Sequence, residues 1–525
     1  MSEESIRFWD FQPIYTGGFS CNCRSTKFGR DDRLEFALSP NPGDIDSDAI
    51  ATALSTLCGS SYGRIDIELH VSEPCAKAIE GYTHAAVSFA GISEKLNCPR
   101  GGGGGNFALN FSGGFDSLAA YSLMPKERTK LVSIDWGGNF FREEQFFRRF
   151  NPYTVKSNVQ RLGYCRETWT FMGIGMILFA RSLGIGYGIF GGNFEATLGQ
   201  MLRCPGISNV YQTAPFSFLG IKDMRVMHGL TEIGSIMTVM GHTPSYFIES
   251  LKSVAAPGSE KLYRKSVLSY IVNKKFGYGL DVPIQNEPLK AVYKFGDNVA
   301  IDMLCLYEMK HVGREIAAKT VSNIPEDVED LVCGLDLSFF ERLNTNFIGS
   351  IPSEYQDYYF SQLLKAGIRP YDEEDWYEVD EVCKYLSRWH REFLTRSDNS
   401  RIGHPRTPQL IEIPCNFTLE ARAIPSNWLP VTPTLGKSGK YKISVGMVKV
   451  IAGESSHVCL SLYDRTGRTV KASRTFAIGE SREAKDLKWE FETPDEDGDW
   501  VIIAYAGVPG QCDGVSVSYF DVRIS

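Results

Sequence analysis

From Asn106 onward the chain alternates between short apolar runs and helical periodicity. Asn106-Phe-Ala-Leu-Asn-Phe111 is an apolar run of strand length, and Asp116 to Met124 repeats its apolar positions at helical spacing. Leu131-Val-Ser-Ile-Asp135 predicts a second buried strand, and Thr154 to Leu162 a strand end with a short helix. Thr168 to Leu183 predicts a long apolar helix, and Gly186 to Phe190 a third strong strand. Strands that alternate with helices predict βαβ units, and so an α/β fold in which a doubly wound parallel sheet carries helices on both faces.

The flanking segments have other textures. Residues 1–105 predict a small α/β unit: Arg64-Ile-Asp-Ile-Glu-Leu-His70 alternates as a half-buried strand should, and Asp44 to Leu57 reads as a helix with Asp46 or Ser47 as N-cap. Gly101 to Gly105, with no side chains to pack, reads as a linker into the 106–280 unit. Residues 281–405 look mainly helical, and the aromatic stripe from Tyr355 to Trp389 fits a packed helical core better than a partner surface. Residues 406–525 predict a β-sandwich. Its strands are Tyr441 to Val450, His457 to Tyr463, Trp489 to Phe491, Trp500 to Tyr505 and Val515 to Ile524, with turn signals at Asp464 to Gly467, Asp497-Gly498 and Pro509-Gly510.

Composition narrows the classes. With 55 Lys+Arg against 63 Asp+Glu the formal charge is −8, which argues against general nucleic-acid binding. Thirteen scattered cysteines fit reduced thiols, and the N-terminus lacks a signal-peptide pattern, so a cytoplasmic location is expected. Phe171 to Phe190 is apolar enough to suggest a membrane span, but Arg181 in its middle and three glycines in its second half favour a buried helix and strand.

The chemistry concentrates in Phe107 to Leu118, FALNFSGGFDSL, where a strand runs through Ser112-Gly113-Gly114-Phe115-Asp116-Ser117 straight into a helix. Successive amides in a glycine turn form an anion-binding nest, and the helix N-terminus adds free donors and a positive dipole end. Ser112 and Ser117 offer hydroxyls to phosphate oxygens, and Asp116 suits either a cap or a Mg²⁺ ligand. This stretch resembles the S-G-G-x-D-S pyrophosphate loop of the N-type ATP pyrophosphatases, the PP-loop family, which includes asparagine synthetase and 7-cyano-7-deazaguanine synthase. The resemblance implies a HUP-like doubly wound domain, ATP and Mg²⁺ as reactants, and cleavage between the α and β phosphates with transfer of AMP to a substrate oxygen. Asp135 and Trp136 then fall at the end of the family's second strand, against the adenosine. Gly192, Asn193 and Glu195 follow the third strand, where members face ATP and substrate. Met227 to Met237 resembles a helix entry of the deazaguanine synthase branch. Its lysine is absent, and Lys222 and Arg225 just upstream, with Arg142, are the candidate cations for the α-phosphate. The zinc-binding cysteine cluster of that branch and a glutaminase constellation are both missing from the sequence.

Two other motifs fail on context. Gly186-x-Gly188-x-x-Gly191 places its glycines inside a strand, and Leu435-Gly-Lys-Ser438 has Val431 where a Walker A loop needs glycine. Of the eight histidines, His228 and His242 lie in the catalytic segment, without metal-ligand spacing. The expected function is an adenylate-forming ligase that activates a carboxylate or carbonyl oxygen for attack by an amine, ammonia or thiol. Its acceptor would be a small molecule, a glycan or a peptide, with an amine donor, and assembly of identical chains stays open. The alternative is a nucleotide-binding regulatory protein whose C-terminal sandwich recognises a glycan or protein, with Trp489, Trp500 and Tyr505 as stacking residues. Their alternation with apolar residues fits core positions better.

Overall fold

A computed structural model describes residues 4–94, 105–196, 215–345, 350–390, 409–419, 435, 438–450, 457–464, 469–477, 483–495, 500–506 and 515–524. Glycines 101–104 and the turns at 465–467, 497–498 and 509–510 lie outside the described residues.

The N-terminal segment opens with an antiparallel meander of β1 (Ser5–Pro13), β2 (Gly18–Ser25) and β3 (Arg30–Ser39). Helix α1 (Ser47–Cys58) starts where the Asp46 carboxylate accepts from the Ala49 amide at 2.8 Å, so Asp46 rather than Ser47 is the cap. β4 (Arg64–Ser72) then returns parallel to β1, and after α2 (Glu73–Thr83) β5 (Ala86–Ser93) pairs parallel to β4.

Five further strands follow: β6 (Asn106–Asn110), β7 (Thr129–Asp135), β8 (Tyr153–Ser157), β9 (Ile185–Ile189) and the short β10 (Lys222–Asp223). All pair in parallel, and between them run α3 (Phe115–Leu123), α4 (Phe141–Phe147), α5 (Val159–Leu162) and α6 (Ile174–Phe179). Antiparallel pairing of β3 with β8 joins the two sets into one ten-stranded, mostly parallel sheet in the order β10-β9-β6-β7-β8-β3-β2-β1-β4-β5.

The long helix expected over Thr168 to Leu183 is instead a 3₁₀ turn, Thr170–Gly173, followed by the six residues of α6. Hydroxyl bonds explain the difference. Thr168 Oγ1 accepts from the Thr170 amide at 3.2 Å, and Thr170 Oγ1 lies 2.6 Å from the Tyr82 hydroxyl, so side chains compete with the helical ladder. Among the described residues no helix is long and apolar enough to cross a membrane.

The strand period of two divides the core between the faces. Phe107 and Leu109 of β6 point into one buried cluster, and Ala108 into the other. The first cluster also gathers α3 and a helical series: α7 (Glu232–His242), α8 (Pro244–Ser253), α9 (Glu260–Phe276), α10 (Val299–Val312), α11 (Arg314–Ala317), α12 (Val328–Gly334), α13 (Ser353–Lys365) and α14 (Glu373–Leu386). A small parallel pair, β11 (Tyr293–Lys294) and β12 (Val321–Ser322), lies within this series. Tyr359 and Tyr385 of the aromatic stripe are buried, whereas Tyr377 and Trp389 are exposed.

The C-terminal strands are β13 (Gln409–Leu419), β14 (Lys440–Val450), β15 (His457–Asp464), β16 (Thr469–Ala477), β17 (Glu483–Glu492), β18 (Trp500–Ala506) and β19 (Val515–Ile524). They form two antiparallel sheets, β13-β19-β14-β17 and β16-β15-β18. Trp489 and Trp500 are buried.

Candidate functional site

The chain passes from β6 outward to β7 and β8, then returns to the other side of β6 for β9 and β10. The order in which strands are added therefore reverses between β6 and β9, which stay parallel. In open α/β sheets ligands bind at such a switch point, beyond the carboxyl ends of the strands. The loops after β6 and β9 carry the Ser112–Ser117 and Gly191–Glu195 segments.

The β6 strand is fixed at its exit by a 2.9 Å bond from the Phe111 amide to the Val132 carbonyl, and by the Ser133 hydroxyl on the Phe111 carbonyl at 2.6 Å. The turn then needs a left-handed residue. Gly113 has φ +82°, and a Cβ there would lie 2.4 Å from Phe146 Cδ1, so only glycine fits. Ser117 Oγ accepts from the Gly113 amide at 3.0 Å and donates to the Gly114 carbonyl at 3.0 Å. Ser112 Oγ accepts from the Gly114 amide at 3.3 Å, and the Ser250 hydroxyl of α8 donates to the Gly113 carbonyl at 2.7 Å. Helix α3 begins at Phe115 with Gly114 as N-cap, and no side chain caps it. Its first-turn amides and dipole thus remain as the positive end of the turn.

The β9 loop presses against this helix start. A Cβ on Gly191 would lie 3.2 Å from Asp116 Cβ, and Asn193 Nδ2 donates to Asp116 Oδ1 at 2.9 Å. Asn193 Oδ1 in turn accepts from the Ser235 hydroxyl of α7 at 3.4 Å. The Phe194 amide bonds the Leu230 carbonyl at 2.8 Å, which ties the loop to the entry of α7, where Thr231 Oγ1 caps the Ile233 and Gly234 amides. Glu195 is buried. Its Oε1 accepts from the Glu232 amide at 2.7 Å, and its Oε2 has no hydrogen-bond partner among the described residues. Burial, then the Glu232 charge, pushes this carboxyl up to about 8.

Behind the loops lies an ionic chain. Lys265 Nζ of α9 stands 3.7 Å from Asp116 Oδ2 and 3.4 Å from Glu232 Oε2. Arg264 grips both Glu232 oxygens at 3.2 and 3.1 Å and Glu260 at 2.7 Å. Burial alone would raise the Glu232 carboxyl, but Lys265 and Arg264 outweigh it and hold the group below its usual value. Burial likewise pulls Lys265 down, and Asp116 and Glu232 more than restore it, so the ammonium stays charged. Lys261, one turn earlier in α9, keeps solvent access in a crowded mouth. That crowding, then the Lys265 charge, holds its ammonium below the usual lysine range. Across from it, Glu143 of α4 is pushed up to about 7 by burial, with Lys261 opposing.

No family model and no curated protein matches the chain.

The remaining sequence candidates divide by position. Asp135 ends β7 beside β6; its Oδ1 accepts from the Gly137 amide at 2.9 Å, and Trp136 packs edge-on against Phe171. Gly192 lies next to His228, whose Cε1 would be 3.6 Å from a Cβ there. His228 is buried, and burial followed by the Arg225 charge pushes it down to about 3. Arg225 is engaged by Asp223 at 2.9 Å and by the Ser350 hydroxyl on its amide at 2.9 Å, while Lys222 is exposed on β10. Arg142 is exposed on α4, and His242 Nε2 bonds the Gln362 carbonyl at 2.8 Å, which makes it a structural link between α7 and α13.

Sequence reasoning missed Lys265, Arg264, Lys261, Glu232, Glu143 and Ser250. For Lys261, Arg264 and Lys265 the available signal was Glu260-Lys-Leu-Tyr-Arg-Lys265, a charged run inside a helix that is otherwise half apolar. Taken together, the site offers an uncapped helix end, two serine hydroxyls, a solvent-reached lysine and a carboxylate held at the turn. That donor set suits a polyphosphate.

Proposed function

We propose that the protein is an ATP-dependent adenylating enzyme of the PP-loop type, which converts ATP to AMP and pyrophosphate while activating a carboxylate or carbonyl oxygen for attack by an amine, ammonia or thiol. One observation carries the reading: the uncapped α3 N-terminus, entered through Gly113 at φ +82°, sits at the switch point of the sheet with Asp116 bonded to Asn193 from the β9 loop.

In this reading the first-turn amides of α3 and the hydroxyls of Ser112 and Ser117 hold the β and γ phosphates. They gain strength as charge builds on the leaving pyrophosphate. Lys261 joins Lys222 and Arg225 as a source of positive charge near the phosphates. Asp135 and Trp136, at the end of β7, face the adenosine, and Gly192 and Asn193 face the acceptor. Asp116 is 30% exposed and suits one Mg²⁺ ligand, with phosphate oxygens supplying others. A bound Mg²⁺ would neutralise phosphate charge. Lys265 and Asn193 hold the Asp116 carboxylate in place from two sides.

The two C-terminal sheets are read as the faces of a β-sandwich. Leu487, Trp489 and Phe491 of one sheet and Leu460, Leu462, Trp500 and Ile502 of the other are all buried, as alternating inner faces require.

The test follows ATP binding and its products. The full chain with Mg²⁺ and a panel of carboxylic acids, with hydroxylamine as nucleophile, is expected to release AMP and pyrophosphate. Asp116→Ala is expected to lower the rate by at least a hundredfold while the chain still melts cooperatively. ADP and orthophosphate as products would overturn the assignment.

A further inference from the structure

Two buried polar atoms near the β9 loop have no hydrogen-bond partner among the described residues: Glu195 Oε2 and the Tyr371 hydroxyl. Glu195 is 4% exposed, and its other oxygen is fixed by the Glu232 amide, so the free oxygen has a defined direction. Tyr371 packs its ring 6.3 Å from that of Phe194, the residue before Glu195, and its hydroxyl is raised by burial first, then by the charges of Asp375 and Glu195. Both atoms are costly to bury alone. An ionised Glu195 leaves lone pairs unmet, and a protonated one leaves an O–H with no acceptor. A ligand that donates several N–H bonds and carries positive charge holds Glu195 in its ionised form and satisfies the lone pairs of both oxygens. Charge in the neighbourhood agrees. Glu232 and Asp116 press on Glu195, and Asp375, itself paired with Arg342 at 2.6 Å, joins Glu195 in pressing on Tyr371. Arg264 and Lys265 are already committed to Glu232, Glu260 and Asp116.

Resting on the adenylation reading, we propose that Glu195 and Tyr371 form a buried subsite for a primary ammonium group, the nucleophile of the second half-reaction, and that Glu195 takes its proton. The ammonium N–H bonds to Glu195 Oε2 and to the Tyr371 oxygen. One proton passes to the Glu195 carboxylate, which frees the nitrogen lone pair. That pair forms the C–N bond to the activated carbon of the adenylate. The carbon–oxygen bond to AMP breaks, AMP leaves with its electron pair, and the second proton on nitrogen is lost to solvent as the amide forms. Glu195 returns its proton to solvent before the next turnover.

The experiment uses the full chain with Mg²⁺ and a non-cleavable α,β-methylene analogue of ATP. Ammonium chloride, methylammonium chloride and tetramethylammonium chloride are titrated at matched ionic strength, with calorimetric binding and melting midpoint as readouts. Ammonium is expected to bind and raise the midpoint, and tetramethylammonium, which has no N–H, is expected to do neither. Methylammonium binding as well as ammonium would assign an amine R–NH3⁺ as the natural occupant, and ammonium binding alone would assign the free ion; either supports the subsite. Glu195→Gln keeps an acceptor for the Glu232 amide and is expected to weaken ammonium binding at least tenfold. Tyr371→Phe, a second variant, is expected to weaken it severalfold. Absence of an ammonium-specific effect, or undiminished binding in both variants, would overturn the subsite. The nucleotide analogue separates the two claims. Asp116-dependent analogue binding without ammonium binding refutes the subsite alone, whereas failure to bind the analogue refutes the adenylation reading beneath it.

Discussion

Gly113 shows how much a single residue settles. Its φ of +82° and the 2.4 Å approach of Phe146 to any Cβ both demand glycine, whereas at Gly114 a Cβ would meet Ser112 Oγ at an ordinary 3.5 Å. Gly113→Ala is therefore expected to cost about 1–2 kcal/mol from the left-handed backbone alone, more from the clash, and to abolish analogue binding. Gly114→Ala is expected to melt and bind nearly as wild type. Equal behaviour of the two variants in melting and calorimetry would contradict the turn geometry. A second residue sets a pH dependence. Glu308 of α10 is 1% exposed, and its Oε1 has no hydrogen-bond partner among the described residues. Burial drives its carboxyl up to about 8, Arg264 pulls it down, and Glu260 and Glu232 push it up again. In the unfolded chain it titrates at its ordinary, lower value, so between the two the folded state holds one more proton. Its contribution to stability is present below the unfolded value and is lost as pH rises through about 8, at a slope of at most about 1.4 kcal/mol per pH unit. Between pH 6 and pH 8.5, wild type should lose more urea stability than Glu308→Gln; equal losses would refute this. At this scale Ser112 to Ser117 were legible because one local motif holds turn, hydroxyls and helix start together. Lys265 and Glu232 were not, because only the packing of α9 and α7 against α3 brings them to Asp116.

Among the elements, α9 carries the buried cations of the site. Lys265→Met removes the counter-charge shared by Asp116 and Glu232, and breaking such a buried pair costs about 3–5 kcal/mol. The melting midpoint should fall by several degrees, and Lys265→Arg should recover part of the loss, whereas a Lys265→Met variant that melts as wild type would show the ionic chain to be dispensable. The strands β6, β7 and β9 and the start of α3 could be read from apolar runs and periodicity. The Thr168 to Leu183 segment could not, because apolar periodicity continues through Thr168 and Thr170 while their hydroxyls bond sideways to Tyr82 and to each other. The β1 to β3 meander was legible only as part of a small α/β unit over 1–105, since its pairing with β8 depends on residues more than a hundred positions apart.

For the whole molecule, the β3–β8 junction matters most, because it makes one sheet of segments that the glycine run seemed to separate. Removing residues 1–94 would bare the β8 edge and strip α1 from α6, with which it packs. The truncated chain is expected to aggregate or lose its cooperative melt, and a monomeric product with unchanged melting would contradict a shared sheet. The helical series is likewise continuous with the site, since Tyr355 of α13 packs 4.9 Å from Phe107 of β6 in the same buried cluster as α3. The acceptor was not legible, because the groups that would face it come from loops and helices spread over 135–371 rather than from one motif. The most direct measurement uses ATP labelled at the α-phosphate, incubated with the full chain, Mg²⁺ and the small-molecule fraction of a cell extract. Labelled AMP, released with pyrophosphate and dependent on Asp116, is the predicted result; labelled ADP, or ATP that neither binds nor turns over, would contradict adenylation.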